Sequence, residues 1–327
     1  MSTPTRVLSL LDLAAQFMAP ATQPLPPYYA MYSTAWNGIL TEPRLMMVPV
    51  DDHLVHRGDG VFETLKCVNG RIYLAADHVA RLFRSATAIG LNMPWSAADL
   101  TDLMVQTVRA GRQRDCLIRL LLSRGPGSFG VNPYDCPHPG LYIIAHALTP
   151  PFMTAHPAGA RVKTSAIPVK AGWFATAKTC NYLPNALMKK EAVDAGVDFT
   201  VNVDERGFLG EGATENIGLL TRDGALRVPR HDRILPGTTM LRALDLARQH
   251  LLGSALRQIE NADLTAADLT GAAEAFIFGT TPDVTALVEF DGRAIGDGKP
   301  GPVWKQLSDL LTRDIAEGLG PHVSIDG

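Results

Sequence analysis

Pro150-Pro151-Phe152, with Pro157 and Gly159 close behind, is the sharpest interruption in a chain of 327 residues. Proline lacks the N–H that a ladder or a helix interior needs and locks its own φ, so no regular element is expected across residues 150–158. A chain of this length reads as about two domains. The break divides residues 32–149 from residues 159–327 and leaves residues 1–31 as an N-terminal arm. A hydrophobic share of 46% can supply a core on each side.

From Tyr32 onward strand and helix patterns alternate. Trp36-Asn37-Gly38 and Val68-Asn69-Gly70 are Asn-Gly turns of the kind that close hairpins. Ala76 to Ile89, with His78, Leu82 and Ala86 four apart, reads as an amphipathic helix, and Ala97 to Ala110 as a second with Ser96 as N-cap. Cys116 to Ser123 is an almost unbroken apolar run carrying Arg119, hence a buried strand, and Leu141 to Ala145 is another. Past the break, Arg161 to Ile167 reads as a strand and Leu183 to Ala195 as a helix. Phe199 to Asp204 and Ile217 to Leu220 read as paired strands, and Asp223-Gly224 turns a hairpin. Thr238 to Leu252 is a helix starting directly after Leu235-Pro236-Gly237. Phe276 to Phe278 and Leu287 to Phe290 are strands, Asp291-Gly292 turns, and Pro302 to Glu317 is a closing helix.

Several function classes are excluded by composition. A formal charge of -3 and a pI near 6.3 provide no basic surface for nucleic acid, and no apolar run approaches the roughly 18 residues of a membrane span. Cys67, Cys116, Cys136 and Cys180 show neither a Cys-x-x-Cys pair nor ligand spacing, which fits a reduced cytoplasmic protein with no structural metal. In the arm, Val7 to Met18 sets Leu8, Leu11 and Phe17 around one helical face, and Pro20, Pro24, Pro26 and Pro27 make an extended linker. Asp12 and a weakly basic start argue against a signal peptide. The arm reads as an amphipathic segment that packs on the protein or on a dimer mate, with organelle targeting the alternative.

The chemistry gathers between Ala175 and Asn216. Lys178, Tyr182 and Glu211 offer an amine, a phenol and an acid. A lysine amine condenses with an aldehyde once its neighbours leave it partly deprotonated. A phenol can hydrogen-bond the O3' of a pyridoxal phosphate ring, and a carboxylate opposite the pyridine nitrogen keeps the ring electron-withdrawing. Taken singly, each residue has an ordinary reading as surface lysine, core aromatic or turn acid. Together with Asn181, Leu183, Glu191, Ala192, Gly207, Gly212 and Asn216, the stretch resembles the central pattern of the class IV aminotransferases, which comprise branched-chain and D-amino acid transaminases and aminodeoxychorismate lyases.

That resemblance, running over roughly residues 32 to 318, carries further assignments. A phosphate needs donors in a positive cup, and a helix N-terminus is one source. Leu235-Pro236-Gly237-Thr238-Thr239 is similar to the family's phosphate segment, which implies that role for Thr238 and Thr239. Gly279-Thr280-Thr281 looks like the second phosphate turn, with Thr280 on the phosphate and the Thr281 N–H towards substrate. His78-Val79-Ala80-Arg81-Leu82 matches the family pattern that makes Arg81 the phosphate cation. Arg57-Gly58-Asp59-Gly60-Val61-Phe62-Glu63 resembles the substrate-side stretch, with Phe62 as an apolar wall and Glu63 a buried partner for a backbone group or an Arg. Arg57 stands where branched-chain enzymes tend to have Tyr. Arg119 matches the branched-chain pattern, Gly130-Val131-Asn132-Pro133 is similar to it, and Arg124 resembles the carboxylate site of D-amino acid enzymes. All three arginines are therefore substrate-side candidates.

The resemblance implies an α+β, two-domain fold, with a small α/β domain, a larger pseudobarrel-like domain and pyridoxal 5'-phosphate between them. It also implies a homodimer whose sites are completed by the partner's loop. The expected activity is transfer of an amino group from an α-amino acid, branched-chain or otherwise apolar, to a 2-oxo acid. Alternatives are a D-amino acid transaminase, an amine transaminase, an aminodeoxychorismate lyase releasing pyruvate, and a cofactor-binding relative without catalysis.

Overall fold

The computed structural model describes residues 5–21 and 23–326. Its first sheet has seven strands, in the order His322–Ser324, Arg71–Tyr73, Gly60–Val68, Cys116–Ser123, Gly140–Ala147, Tyr28–Ser33 and Gly38–Leu40, every neighbour antiparallel. Asn69 and Gly70 both take positive φ and close Gly60–Val68 onto Arg71–Tyr73 with a two-residue turn. Helices Ala75–Ala88 and Ala97–Gly111 cover one face, burying Val79, Leu82, Leu100 and Met104 against Leu65, Ile118 and Ile143. Ser96 caps the second helix through a reciprocal pairing with Asp99.

The second sheet is mixed. Its order is Gln258–Ala262, Ala225–Pro229, Asn216–Leu220, Glu274–Gly279, Asp283–Phe290, Ala160–Thr164, Phe199–Val203 and Leu209–Gly212, with Arg293–Ala294 on the side of Asp283–Phe290. Its residues alternate between two cores. Phe276 and Phe278 face helices Thr238–His250 and Pro302–Ala316, whereas Ala275 and Ile277 pack with Val162, Val201 and Phe290 on the opposite face. The sheet curls until Leu209–Gly212 lies beside Asn216–Leu220, where the Gly212 N–H donates to the Glu215 carbonyl at 2.7 Å. Helices beside curled sheets make the architecture α+β.

Three differences from the sequence reading have clear causes. Phe199–Val203 pairs with Leu209–Gly212 and not with Asn216–Leu220, because Asp204 and Gly207 (φ 86°) turn the chain at once, the Asp204 side chain accepting from the Arg206 and Phe208 amides. Ala160–Thr164 stops short of Ile167 because, after a last backbone bond from Ser165 N–H to Val201 O, the Ala166 amide turns to the Glu191 carboxylate, which also accepts from the Ser165 hydroxyl. His322–Ser324 leaves the unit expected for 159–327 and joins the first sheet, fixed at its ends by Leu74 N–H to Pro321 O and Ile325 N–H to Gly70 O.

The arm also differs. Tyr28–Ser33 already belongs to the first sheet, upstream of the boundary expected at residue 32. Helix Leu10–Met18 forms, capped by Ser9 and Asp12, yet buries none of its residues against this chain. Arg44 holds its end by donating to the Ala19 carbonyl at 2.9 Å.

Candidate active site

Lys178 is fixed by its backbone before its side chain matters. The Phe62 N–H donates to the Lys178 carbonyl at 3.0 Å, the Cys180 N–H donates to Gly60 O at 2.8 Å, and the Lys178 N–H donates to Ser85 Oγ at 3.0 Å. The lysine segment thus continues the first sheet beside Gly60–Val68 while its amine enters the cleft between the two sheets. Its Nζ lies 4.6 Å from the Phe62 ring centroid and 5.9 Å from that of Tyr182, and these two rings meet edge to face at 5.0 Å. Burial brings the Lys178 amine down to about 8, Arg81 pushes the same way, and Glu63 and Glu211 only partly oppose it.

Glu211, on Leu209–Gly212, lines the same recess. Its carboxylate accepts from the Leu235 N–H at 3.0 Å and from Asn216 Nδ2 at 3.5 Å. Burial lifts it to about 7 against the pull of the Leu235 amide, Lys170 and Lys178, and Glu215 adds to the rise. Tyr182 is raised by burial and then by Glu211, so it stays a neutral phenol.

Opposite lies a cationic cup. Arg81 is 4% exposed, donates from Nε and Nη2 to the two Glu63 oxygens at 2.7 Å each, and sends Nη1 to the Pro236 carbonyl at 3.1 Å. Burial alone would raise Glu63, but Arg81 and His78 bring it down to about 2. His78 stays neutral because burial outweighs Glu63. The His78 Nδ1–H donates to Glu63 at 2.7 Å, so the Nε2 of the neutral ring accepts a hydrogen bond from the Thr238 hydroxyl at 3.1 Å. The Thr238 side chain is thereby engaged, leaving its backbone N–H for the cup. Helix Thr238–His250 starts at Gly237 without a side-chain cap, so its first-turn N–H groups are uncompensated. A Cβ on Gly237 would sit 2.0 Å from Asn216 Oδ1. Arg81, Lys178, Tyr182, Glu211, Thr238, Thr239 and Thr280 all line this one recess.

The recess opens past Lys178 into a chamber of about 530 Å³ walled by Phe62, Pro150, Phe152, Phe199 and Pro282, with Arg119, Glu215 and five threonines, Thr281 among them, as polar members. Arg119 stands 5.1 Å from the Phe62 centroid and has no ion-pair partner among the described residues; burial lowers its pKa. The other two arginines lie elsewhere. Arg57 is exposed and binds the carbonyls of His56, Phe129 and Gly130. Arg124 is taken up by Asp59, with two bonds of 3.0 Å, and by the carbonyls of Ile89 and Gly90.

The sequence reading passed over Lys170, whose Nζ lies 5.1 Å from the Tyr182 ring centroid and which acts on Glu211. No local pattern marks it, since it sits in an irregular segment eight residues before Lys178. Glu215, lining both cavities, was also missed, although it directly precedes the family's Asn. Among the described residues no group of His, Cys, Asp and Glu could hold a metal ion, and no helix is long and apolar enough to cross a membrane.

A depressed amine, a protonated phenol and a buried acid facing a cationic cup at a helix N-terminus suit one kind of ligand, a phosphorylated aromatic aldehyde. Fold and site together define a pyridoxal phosphate enzyme. Residues 60–290 match the family model described as amino-transferase class IV, and the chain belongs to that family. It is 37% identical over 292 residues to the chloroplastic D-amino-acid transaminase of Arabidopsis thaliana, covering 89% of this chain and 78% of that protein. It is 31% identical to a putative branched-chain-amino-acid aminotransferase of Methanocaldococcus jannaschii, over 88% of this chain and 97% of that one. The T.th. branched-chain amino acid aminotransferase, solved with pyridoxamine 5'-phosphate, superposes with a TM-score of 0.82 at 26% identity, covering 90% of this chain and 98% of the other. The protein is a pyridoxal phosphate-dependent aminotransferase.

Proposed function

We propose that this aminotransferase takes its amino group from an apolar α-amino acid, branched-chain donors foremost, and delivers it to a 2-oxo acid. The observation that carries this reading is Arg119, a cation with no ion-pair partner among the described residues, in a chamber beside Lys178 whose apolar walls are Phe62, Pro150, Phe152, Phe199 and Pro282. A carboxylate satisfies the arginine, and the aromatic and proline walls receive an apolar side chain.

Pyridoxal phosphate supplies an aldehyde that carries the amino group and a ring that withdraws electrons from the α-carbon. The chain's residues do the rest. Arg81, the Thr239 and Thr280 hydroxyls and the N–H groups of Thr238 and Thr239 would hold the cofactor's phosphate. With the cofactor bound, Glu211 would be the acid that keeps its ring electron-withdrawing, and Tyr182 would be the phenol that hydrogen-bonds it. Lys178, brought down to about 8, is in part a free amine at neutral pH and is the base that moves the α-proton. Thr281, on the chamber wall, would offer its N–H to the substrate.

A second reading, a D-amino acid donor, is favoured by the 37% identity to the Arabidopsis enzyme. A panel of L- and D-leucine, alanine and glutamate, each with 2-oxoglutarate or pyruvate as acceptor, separates the two. Turnover with L-leucine above all D-donors supports the first reading; preference for D-alanine or D-glutamate overturns it.

We further read the protein as a cytoplasmic homodimer. Exposed Phe129, Val131 and Tyr134, on the segment that Arg57 binds, and the uncovered helix Leu10–Met18 support a second copy. Sedimentation at micromolar concentration tests it, a monomer counting against it.

A further inference from the structure

One charge pair outside the cleft, buried at its lysine and partly buried at its aspartate, joins the two halves of the molecule. Lys66, 5% exposed, forms an ion pair with Asp283. Lys66 lies on Gly60–Val68 at the same alternation as Phe62 and Thr64, both of which wall the chamber. Asp283 pairs with Gly279 at the base of a three-residue loop, Thr280-Thr281-Pro282, that joins Glu274–Gly279 to Asp283–Phe290. All three loop residues wall the chamber, whereas Lys66 and Asp283 line neither cavity.

The backbone of Asp283 has φ +56°, the left-handed region that a residue with a Cβ enters only at a cost. The surroundings hold it there. The Thr285 hydroxyl donates to the Pro282 carbonyl at 2.9 Å from the strand side, and the Lys66 ammonium holds the side chain from the other sheet. Burial pushes the Asp283 carboxyl up and Lys66 opposes this. Taking two charges out of water is a poor route to stability. Strained backbone of this kind persists where its surroundings over-determine it, commonly at a site.

We propose that the Lys66–Asp283 pair is a positioning device that sets where the Thr280-Thr281 turn stands in the cleft, and so ties the seating of the first sheet to both cofactor retention and substrate binding. The proposal rests on the roles assigned above to Thr280 and Thr281. Lys66 acts through Asp283, and Asp283 through the turn.

The test uses full-length holoenzymes of Lys66→Met, Asp283→Asn, Lys66→Arg and Thr280→Ala. Each is measured for cofactor dissociation, for donor KM and kcat, and for folding by circular dichroism. Lys66→Met and Asp283→Asn are expected to raise the cofactor dissociation constant and the donor KM about tenfold each, with kcat within about threefold, and Lys66→Arg to restore both. Retention and KM within about twofold of the parent in folded Lys66→Met and Asp283→Asn, alongside a weakened Thr280→Ala, overturn the proposal. A Thr280→Ala that keeps its cofactor like the parent instead overturns the assignment beneath it, and the proposal with it. Should Lys66→Met not fold, the near-isosteric Asp283→Asn decides by the same readouts.

Discussion

Lys178 Nζ and the Phe62 ring lie 4.6 Å apart, so the reactive amine rests on an aromatic face in the wall of a cleft. The ring face attracts a cation weakly. Burial and the nearby Arg81 disfavour that cation more, which is why the amine falls to about 8.

Removing that amine tests its assignment directly. Lys178→Ala is expected to lack the visible absorption of the lysine-linked cofactor and to lose at least about a thousandfold in kcat, as read by spectrophotometry and a coupled transamination assay. A yellow, active variant would sink the assignment.

Glu211 and Lys178 give the cofactor-free protein opposite pH slopes. Glu211 is raised from 4.5 to about 7, so between those values the folded state binds more protons than the unfolded one, and stability falls as pH rises. Lys178 is lowered from 10.5 to about 8, so between 8 and 10.5 the unfolded state binds more protons, and stability rises with pH. Together they place a minimum near pH 7 to 8. Thermal melts of the apoprotein should show Glu211→Gln losing most of the acid-side slope, up to about 3 kcal/mol, and Lys178→Met losing the alkaline one.

Arg119 is predicted to bind substrate and not cofactor. Arg119→Met should raise donor KM about ten- to a hundredfold, in line with loss of a charged hydrogen-bonded pair, while the cofactor dissociation constant stays within about threefold. Steady-state kinetics with a titration of cofactor distinguishes this from general damage. A wholesale loss of cofactor would contradict it.

Glu63 holds Arg81 at two points and His78 at a third. Glu63→Ala leaves a buried guanidinium without its counter-charge, which costs about 3–5 kcal/mol. Urea unfolding should show a lower midpoint with an unchanged slope, and the variant should retain cofactor poorly. An unshifted midpoint would mean that Arg81 finds another anion.

Local chemistry made much of this readable in advance. Asn69-Gly70, Ser96 with Asp99, and the apolar run at Cys116–Ser123 each settle their own conformation within a few residues, and each appears where the sequence places it. The recess was readable because its residues sit in dense local patterns around Lys178, Glu211 and Thr238. What escaped depends on partners far along the chain. Arg124 seemed as available as Arg119 until Asp59, sixty-five residues away, was seen to engage it. Lys170 acquires meaning only when the fold lays it over Tyr182. His322–Ser324 is too short and polar to announce itself, and its place comes from an edge that Arg71–Tyr73 leaves open.

That edge has a bearing on how the molecule is assembled. Because residues 322–324 complete a sheet begun at residue 28, the first sheet keeps an unpaired rim until the second has been synthesised. During translation the rim is free to meet the rim of another nascent chain, the usual beginning of edge-to-edge aggregation. Material that stops before residue 322 would therefore keep that rim open for good.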